Sequence, residues 1–173
     1  MGQRPSSPSS LCTATSWTGG RGCTNGTSWR IPPRRGCARC STTCAVTVGP
    51  AVRPEEPTIC SLALHRGAPF AYLQCYRNLD YPEWANVIGA ADGISIDLFI
   101  GDPAYLGRGF GQSALRAYLD EVAFPSYAGE RRAYIGHELT NHAALRCSKA
   151  VCFQPWRRFS EDGVEMQLLA TER

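Results

Sequence analysis

The stretch IGDPAYLGRGFGQSALRAYL, Ile100–Leu119, sets Gly107, Gly109 and Gly111 at alternate positions directly before an amphipathic segment. Glycine has no Cβ and reaches positive φ at little cost, so backbone amides at such a turn can approach a ligand and converge on it. A helix starting there adds its N-terminal dipole, which favours a bound anion such as a diphosphate. Two common phosphate loops are excluded. No Lys followed by Ser or Thr closes the turn, and the spacing is Gly-x-Gly-x-Gly rather than Gly-x-Gly-x-x-Gly.

The flanks of this turn read as a strand and a helix. In ISIDLFI, Ile94, Ile96, Leu98 and Ile100 fall on one face, and Ser95, Asp97 and Phe99 on the other. Leu115, Tyr118, Leu119 and Val122 follow helical spacing, and Pro125 is expected to end that helix. Before them, TICSLAL and PFAYLQCY are joined by a Gly-containing turn and read as a hairpin. RNLDYPEWANVIGAADG between hairpin and strand reads as a polar excursion. Beyond the helix come a strand RAYIGH, a helix in TNHAALRCSKAV capped by Thr140 or Asn141, and a hairpin turning at SEDG. The order hairpin, strand, helix, strand, helix, hairpin predicts an α/β domain with a mixed sheet.

The first 57 residues have a different texture. Seven arginines and no acidic residue lie between Met1 and Pro54, whereas fifteen acids and eleven basic residues follow. Six of the nine cysteines lie at or before Cys60, no apolar period persists, and IPPRRG and VGPAVRPEEP break any helix. A segment without an apolar face cannot offset the entropy of ordering, so residues 1–57 are expected to be irregular. High Arg with a single Lys and scattered Cys and Trp is also what a GC-rich gene gives out of frame, and residues 1–57 are expected to be such a frame-displaced segment. CARCSTTC contains one Cys-x-x-Cys without a second pair, so no metal site is expected. The basic arm lacks aromatic or helical organisation, and nucleic acid is not an expected partner. No run approaches the roughly 18 apolar residues of a membrane helix, and no apolar leader follows Arg4, so a cytoplasmic protein without a membrane partner is expected.

The residues from Thr58 to Arg173 resemble the GCN5-related N-acetyltransferase (GNAT) superfamily. LGRGFG between ISIDLFI and QSALRAYLDEVAF looks like that family's acetyl-CoA diphosphate loop, and TNHAALRCSKAVCF like its following helix. IDLFIGDPAYLGRGFG resembles the aminoglycoside 6'-N-acetyltransferase branch and its siderophore-pathway relatives. The resemblance implies a mixed sheet flanked by helices, with the family's first strand and first two helices missing or replaced by residues 1–57. It implies transfer of an acetyl group from acetyl-CoA, without a metal, to a primary amine of a small polycationic molecule, an aminoglycoside first. A siderophore-pathway hydroxylysine acetyltransferase is the second reading, and a damaged fold that only binds coenzyme A the third.

Residue by residue, the resemblance places pantetheine along Leu98, Phe99 and Ile100, between splayed parallel strands 94–100 and 132–136. It places the diphosphate on Gly107, Arg108, Gly109, Phe110 and Gly111, with Gln112 and Asn141 beside it. Asp97 is the expected base or amine ligand, because a carboxylate inside an apolar strand must be compensated by a partner or by function. Asp80, Glu83 and Trp84 are expected to border the acceptor pocket, where carboxylates suit a polycation. Asp102 reads as a turn cap, and neither His137 nor His142 is assigned a role. The chain departs from the family by Ser148 where a Tyr commonly serves as general acid toward the thiolate. It also has Cys152 for the Gly before the last Phe, and Gly136–His137 for an acidic-Pro pair.

Overall fold

The structure is a computed structural model and describes residues 57–173. The expectations of irregularity and of frame displacement for the preceding segment therefore lie outside the described residues. The first element among the described residues is β1 (Thr58–His65), which turns into β2 (Ala68–Arg77). The turn residues Arg66 and Gly67 both have positive φ, +53° and +84°, the twist that a two-residue hairpin requires.

The expected polar excursion contains a helix, α1 (Pro82–Ile88). Pro82 opens it where a missing N–H costs nothing, and Gly89 closes it in the left-handed region. With only seven residues, its apolar side is too short to show a period in the sequence. Then follow β3 (Ile94–Ile100), α2 (Phe110–Tyr118), α3 (Phe124–Ser126), β4 (Arg132–Glu138), α4 (His142–Ala150), β5 (Gln154–Glu161) and β6 (Val164–Glu172).

Pro125 does not end the helix at once. The wider turn Leu119–Ala123 links α2 to α3, and Pro125 sits within the first residues of α3. Near a helix start proline's missing N–H is tolerated, so a shift of helical register accommodates it.

The six strands form one sheet in the order β1-β2-β3-β4-β6-β5. All neighbours are antiparallel except β3 and β4, which pair in parallel only at Ile94–Ala133 and Ser95–Tyr134. Beyond those two pairs the strands part, and the gap becomes the cleft. The predicted alternation of β3 holds. Ile94 and Ile96 are buried in the core under α2 with Leu115, Tyr118, Leu119 and Val122, and Leu98 and Ile100 pack against it. On the other face Trp84, Ile88, Tyr76, Tyr134, Phe159 and Leu168 form a second core. Among the described residues no helix is long and apolar enough to cross a membrane.

Candidate active site

The glycine turn is anchored by aromatic packing before it offers anything to a ligand. Asp102 accepts from the Ala104 amide and caps the short turn Pro103–Tyr105, as its place before proline predicts. Tyr105 stacks on Phe70 at 4.7 Å, and Phe110 meets Tyr105, Phe70 and His65 edge-on. The Phe110 side chain is thus an anchor in the core, and only its backbone belongs to the turn.

Gly107 and Gly109 have φ of +68° and +84°, and nothing lies within 4 Å of a Cβ built on either. Gly109 is the N-cap of α2, and no side chain caps the helix there. The N–H groups of a first helical turn have no intrahelical partner, so this end presents uncovered donors without an acidic side chain to compete. Gly111 is different. A Cβ there would meet Ile100 Cδ1 at 3.1 Å and Cys147 Sγ at 3.3 Å, so its bare backbone lets α2 lie close on β3 and α4.

A cleft of about 450 Å³ runs from this turn between the parted strands. Of the ten residues predicted for the cofactor, Leu98, Phe99, Ile100, Gly107, Gly109, Gly111, Gln112 and Asn141 line it. Asn141 is the N-cap of α4, accepting from the Ala144 amide, which decides between the two predicted caps. Arg108 does not line the cleft. Its guanidinium donates to the Ala104 carbonyl at 3.0 Å and lies 5.5 Å from the Phe110 ring centroid.

Tyr105, Arg146 and Cys147, which the sequence did not single out, also line the cleft, together with His137, to which no role was assigned, and Ser148, noted only as a departure from the family. His137 Nε2 lies 2.7 Å from Ser148 Oγ, across from β4 to α4. Burial pushes the His137 imidazole down to about 4, so it is neutral at physiological pH. Burial likewise pushes the Cys147 thiol up to about 11. No sequence motif could have joined His137 to Ser148, because the pair exists only once α4 packs on β4. These donors, the open glycine turn and the apolar strand wall fit an elongated ligand with an anionic end.

Asp97 lies on the opposite face of β3 and does not line this cleft. Its Oδ2 accepts from Gln74 Nε2 at 2.7 Å, so its neighbour is an amide rather than an arginine. Burial raises its pKa above the usual carboxylate value, the Gln74 bond opposes that, and the Glu161 carboxylate adds to it.

Two of the residues expected at the acceptor wall are otherwise engaged. Trp84 is 9% exposed, meets Phe159 edge-on, and donates its indole N–H to Ser95 Oγ at 3.0 Å. Ser95 in turn donates to Asn78, whose amide reaches the Ala90 and Asp92 carbonyls. Trp84 is therefore a core residue, because α1 turns its apolar side onto the sheet. Asp80 pairs with Arg77 at 2.6 Å, and Glu83 is exposed on α1. Among the described residues no group of three or more His, Cys, Asp or Glu is placed to hold a metal.

The family model described as "Acetyltransferase (GNAT) domain" matches residues 47–160. No curated protein sequence matches the chain significantly. Solved structures of similar fold include an aminoglycoside acetyltransferase AAC(6')-Ib in complex with coenzyme A. It is 22% identical, with a TM-score of 0.56 over 72% of this chain and 71% of that one. An uncharacterized protein from Bacillus halodurans is 19% identical with a TM-score of 0.60, over 68% of this chain and 60% of its own. An aminoglycoside N(6')-acetyltransferase from Legionella pneumophila is 19% identical with a TM-score of 0.53, over 68% and 64%.

Proposed function

This chain belongs to the GNAT family of acetyl-CoA-dependent N-acetyltransferases, and we propose that its acceptor is a primary amine of a small polycationic molecule, the 6'-amine of an aminoglycoside first. The observation that carries the reading is a sheet whose two sides offer different chemistry at one gap. The cofactor side has an uncapped glycine turn and an apolar wall, and the other side has a partly buried carboxylate with no cationic partner among the described residues. The aminoglycoside enzymes of similar fold make that acceptor the first to test.

Gly107, Gly109 and the first amides of α2 would hold the diphosphate by hydrogen bonds and by the helix dipole. Leu98, Phe99 and Ile100 would flank the pantetheine, whose amides suit the strand edge that β4 leaves unpaired. When bound, acetyl-CoA supplies a thioester carbonyl open to attack by an amine. Asp97 accepts a proton from the attacking amine, and its raised pKa makes it a better base than an ordinary surface carboxylate. The acceptor nitrogen must be neutral to attack, so Asp97 takes the ammonium proton before the nitrogen–carbon bond forms, and a second amine proton goes to the departing sulfur as the carbon–sulfur bond breaks. Ser148 and His137 form the polar end of an otherwise largely apolar cleft and offer hydrogen bonds where charge leaves. Glu83, exposed on α1, adds negative charge on the acceptor side, and Asp80 contributes less because Arg77 already neutralises it.

Thiol release from acetyl-CoA across an amine panel tests this. Turnover with kanamycin-type amines is expected. Turnover confined to a hydroxylated lysine would move the acceptor to the siderophore pathway, and coenzyme A binding without turnover on any amine would overturn the enzymatic reading.

A further inference from the structure

Asp97 is the last member of a side-chain chain that crosses three strands. The strand registers pair Cys60 with Gln74 and Gln74 with Asp97, so these residues form one row over β1, β2 and β3. Gln74 Nε2 donates to Asp97 Oδ2 at 2.7 Å, and Gln74 Oε1 accepts from the Tyr72 hydroxyl at 2.8 Å. Tyr72 Oη also lies 2.9 Å from Cys60 Sγ.

The proton inventory gives this chain a direction. A phenol has one hydrogen, and an amide has one donor end and one acceptor end. Gln74 Oε1 is a stronger acceptor than a thiol sulfur, so it takes the Tyr72 hydrogen in preference to Cys60 Sγ. The end of Gln74 that faces Asp97 is then its N–H₂ group. Asp97 Oδ2 is held as an acceptor, and a proton arriving at the carboxyl goes to Oδ1.

We infer that Gln74, oriented by Tyr72, is a positioning residue for acetyl transfer, reserving Oδ2 of Asp97 and leaving Oδ1 to receive the amine proton. The inference rests on the reading of Asp97 as the base. The titratable groups that act on or lie in the row with Asp97 are Cys60 on β1, Tyr72, Cys75 and Tyr76 on β2, and Glu161 on β5. None of them is a cation, so the Gln74 N–H is the influence that favours the charged carboxylate. Without it, burial and Glu161 act unopposed.

The test follows the Asp97 carboxyl by carbon-13 NMR over a pH titration of the full chain, with Asp97→Asn assigning its signal. Wild type is compared with Gln74→Leu and Tyr72→Phe, and kcat and KM are measured over the same pH range. Gln74→Leu is expected to move the Asp97 midpoint upward, and Tyr72→Phe to move it upward by less. The acid limb of kcat should follow the midpoint, with about a tenfold loss in kcat at mildly acidic pH and unchanged KM for acetyl-CoA. Should Gln74→Leu fail to fold, Gln74→Met and Tyr72→Phe read the same chain. An unmoved midpoint in these variants would overturn the positioning role while leaving acetyl transfer standing. A midpoint that moves in an enzyme whose turnover survives Asp97→Asn would remove Asp97 as base, and the positioning role with it.

Discussion

The two sides of the gap between β3 and β4 are built in opposite ways. The cofactor side is largely a matter of backbone: residues 98–112 supply strand edge, glycine turn and helix start in one continuous run. The side proposed for the acceptor is a matter of side chains, with Gln74, Asp97 and Glu161 coming from three different elements. A site made of consecutive amides is written locally, whereas a site made of side chains exists only after strands are set in register. The two sides should therefore fail differently when broken.

The largest effect is expected from Gly109→Val. Nothing crowds a Cβ at this residue, but its φ of +84° strains a β-branched side chain, which would also stand where the phosphate is proposed to bind. Losing about two charge-assisted hydrogen bonds corresponds to roughly 3–6 kcal/mol of coenzyme A affinity. Calorimetry that finds affinity unchanged would separate the glycine turn from the cofactor.

Next is Trp84→Ala, which should cost about 3–5 kcal/mol of folding stability by opening a cavity. A chemical denaturation curve checks this. A stable variant with impaired acceptor KM would return Trp84 to the pocket wall and erase the distinction between core and site on that face.

Asp97→Asn should lower kcat about a hundredfold or more, since it removes a base while keeping volume. Coenzyme A affinity should stay as it was, because Asp97 does not line the cleft. Equal losses in both would make the two sides one structural unit.

A smaller effect concerns His137. Its folded pKa lies near 4, below the usual 6.5, so the unfolded chain binds more protons between those values. The stability tied to this group is complete above pH about 6.5 and is lost as pH falls toward 4. His137→Gln should flatten that slope in urea titrations run from pH 7 to 4.

The smallest change expected is a gain. Cys152 has a φ of +72° after α4, where the Phe153 and Cys152 amides return to the Ser148 and Lys149 carbonyls. That pattern favours glycine, so Cys152→Gly should add about 0.5–1 kcal/mol and raise the melting temperature.

Much of this was legible beforehand. The alternation in ISIDLFI, the stripe from Leu115 to Val122 and the turn at Asp162–Gly163 each rest on neighbours a few residues apart, and each formed as read. The helix α1 was missed because seven residues carry too little period, and Trp84 was misplaced as a consequence. Proline's effect on the helix was overstated because a change of helical register can absorb a missing N–H. His137 carried no assigned role in the sequence, because only the packing of α4 brings Ser148 within 2.7 Å of it.

By itself, then, the sequence determined the order of elements, the mixed sheet and the glycine turn, because these follow from side-chain alternation, helical spacing and the absence of a Cβ. It could also nominate Asp97, since a carboxylate in an apolar strand is costly wherever that strand lies. Only the tertiary structure decided what compensates that carboxylate, that Trp84 is core, and that His137 faces Ser148. Those depend on strand register and helix docking, which bring together residues far apart in the chain, as with Gln74 and Asp97 or Trp84 and Phe159, and no local pattern encodes the distance between them.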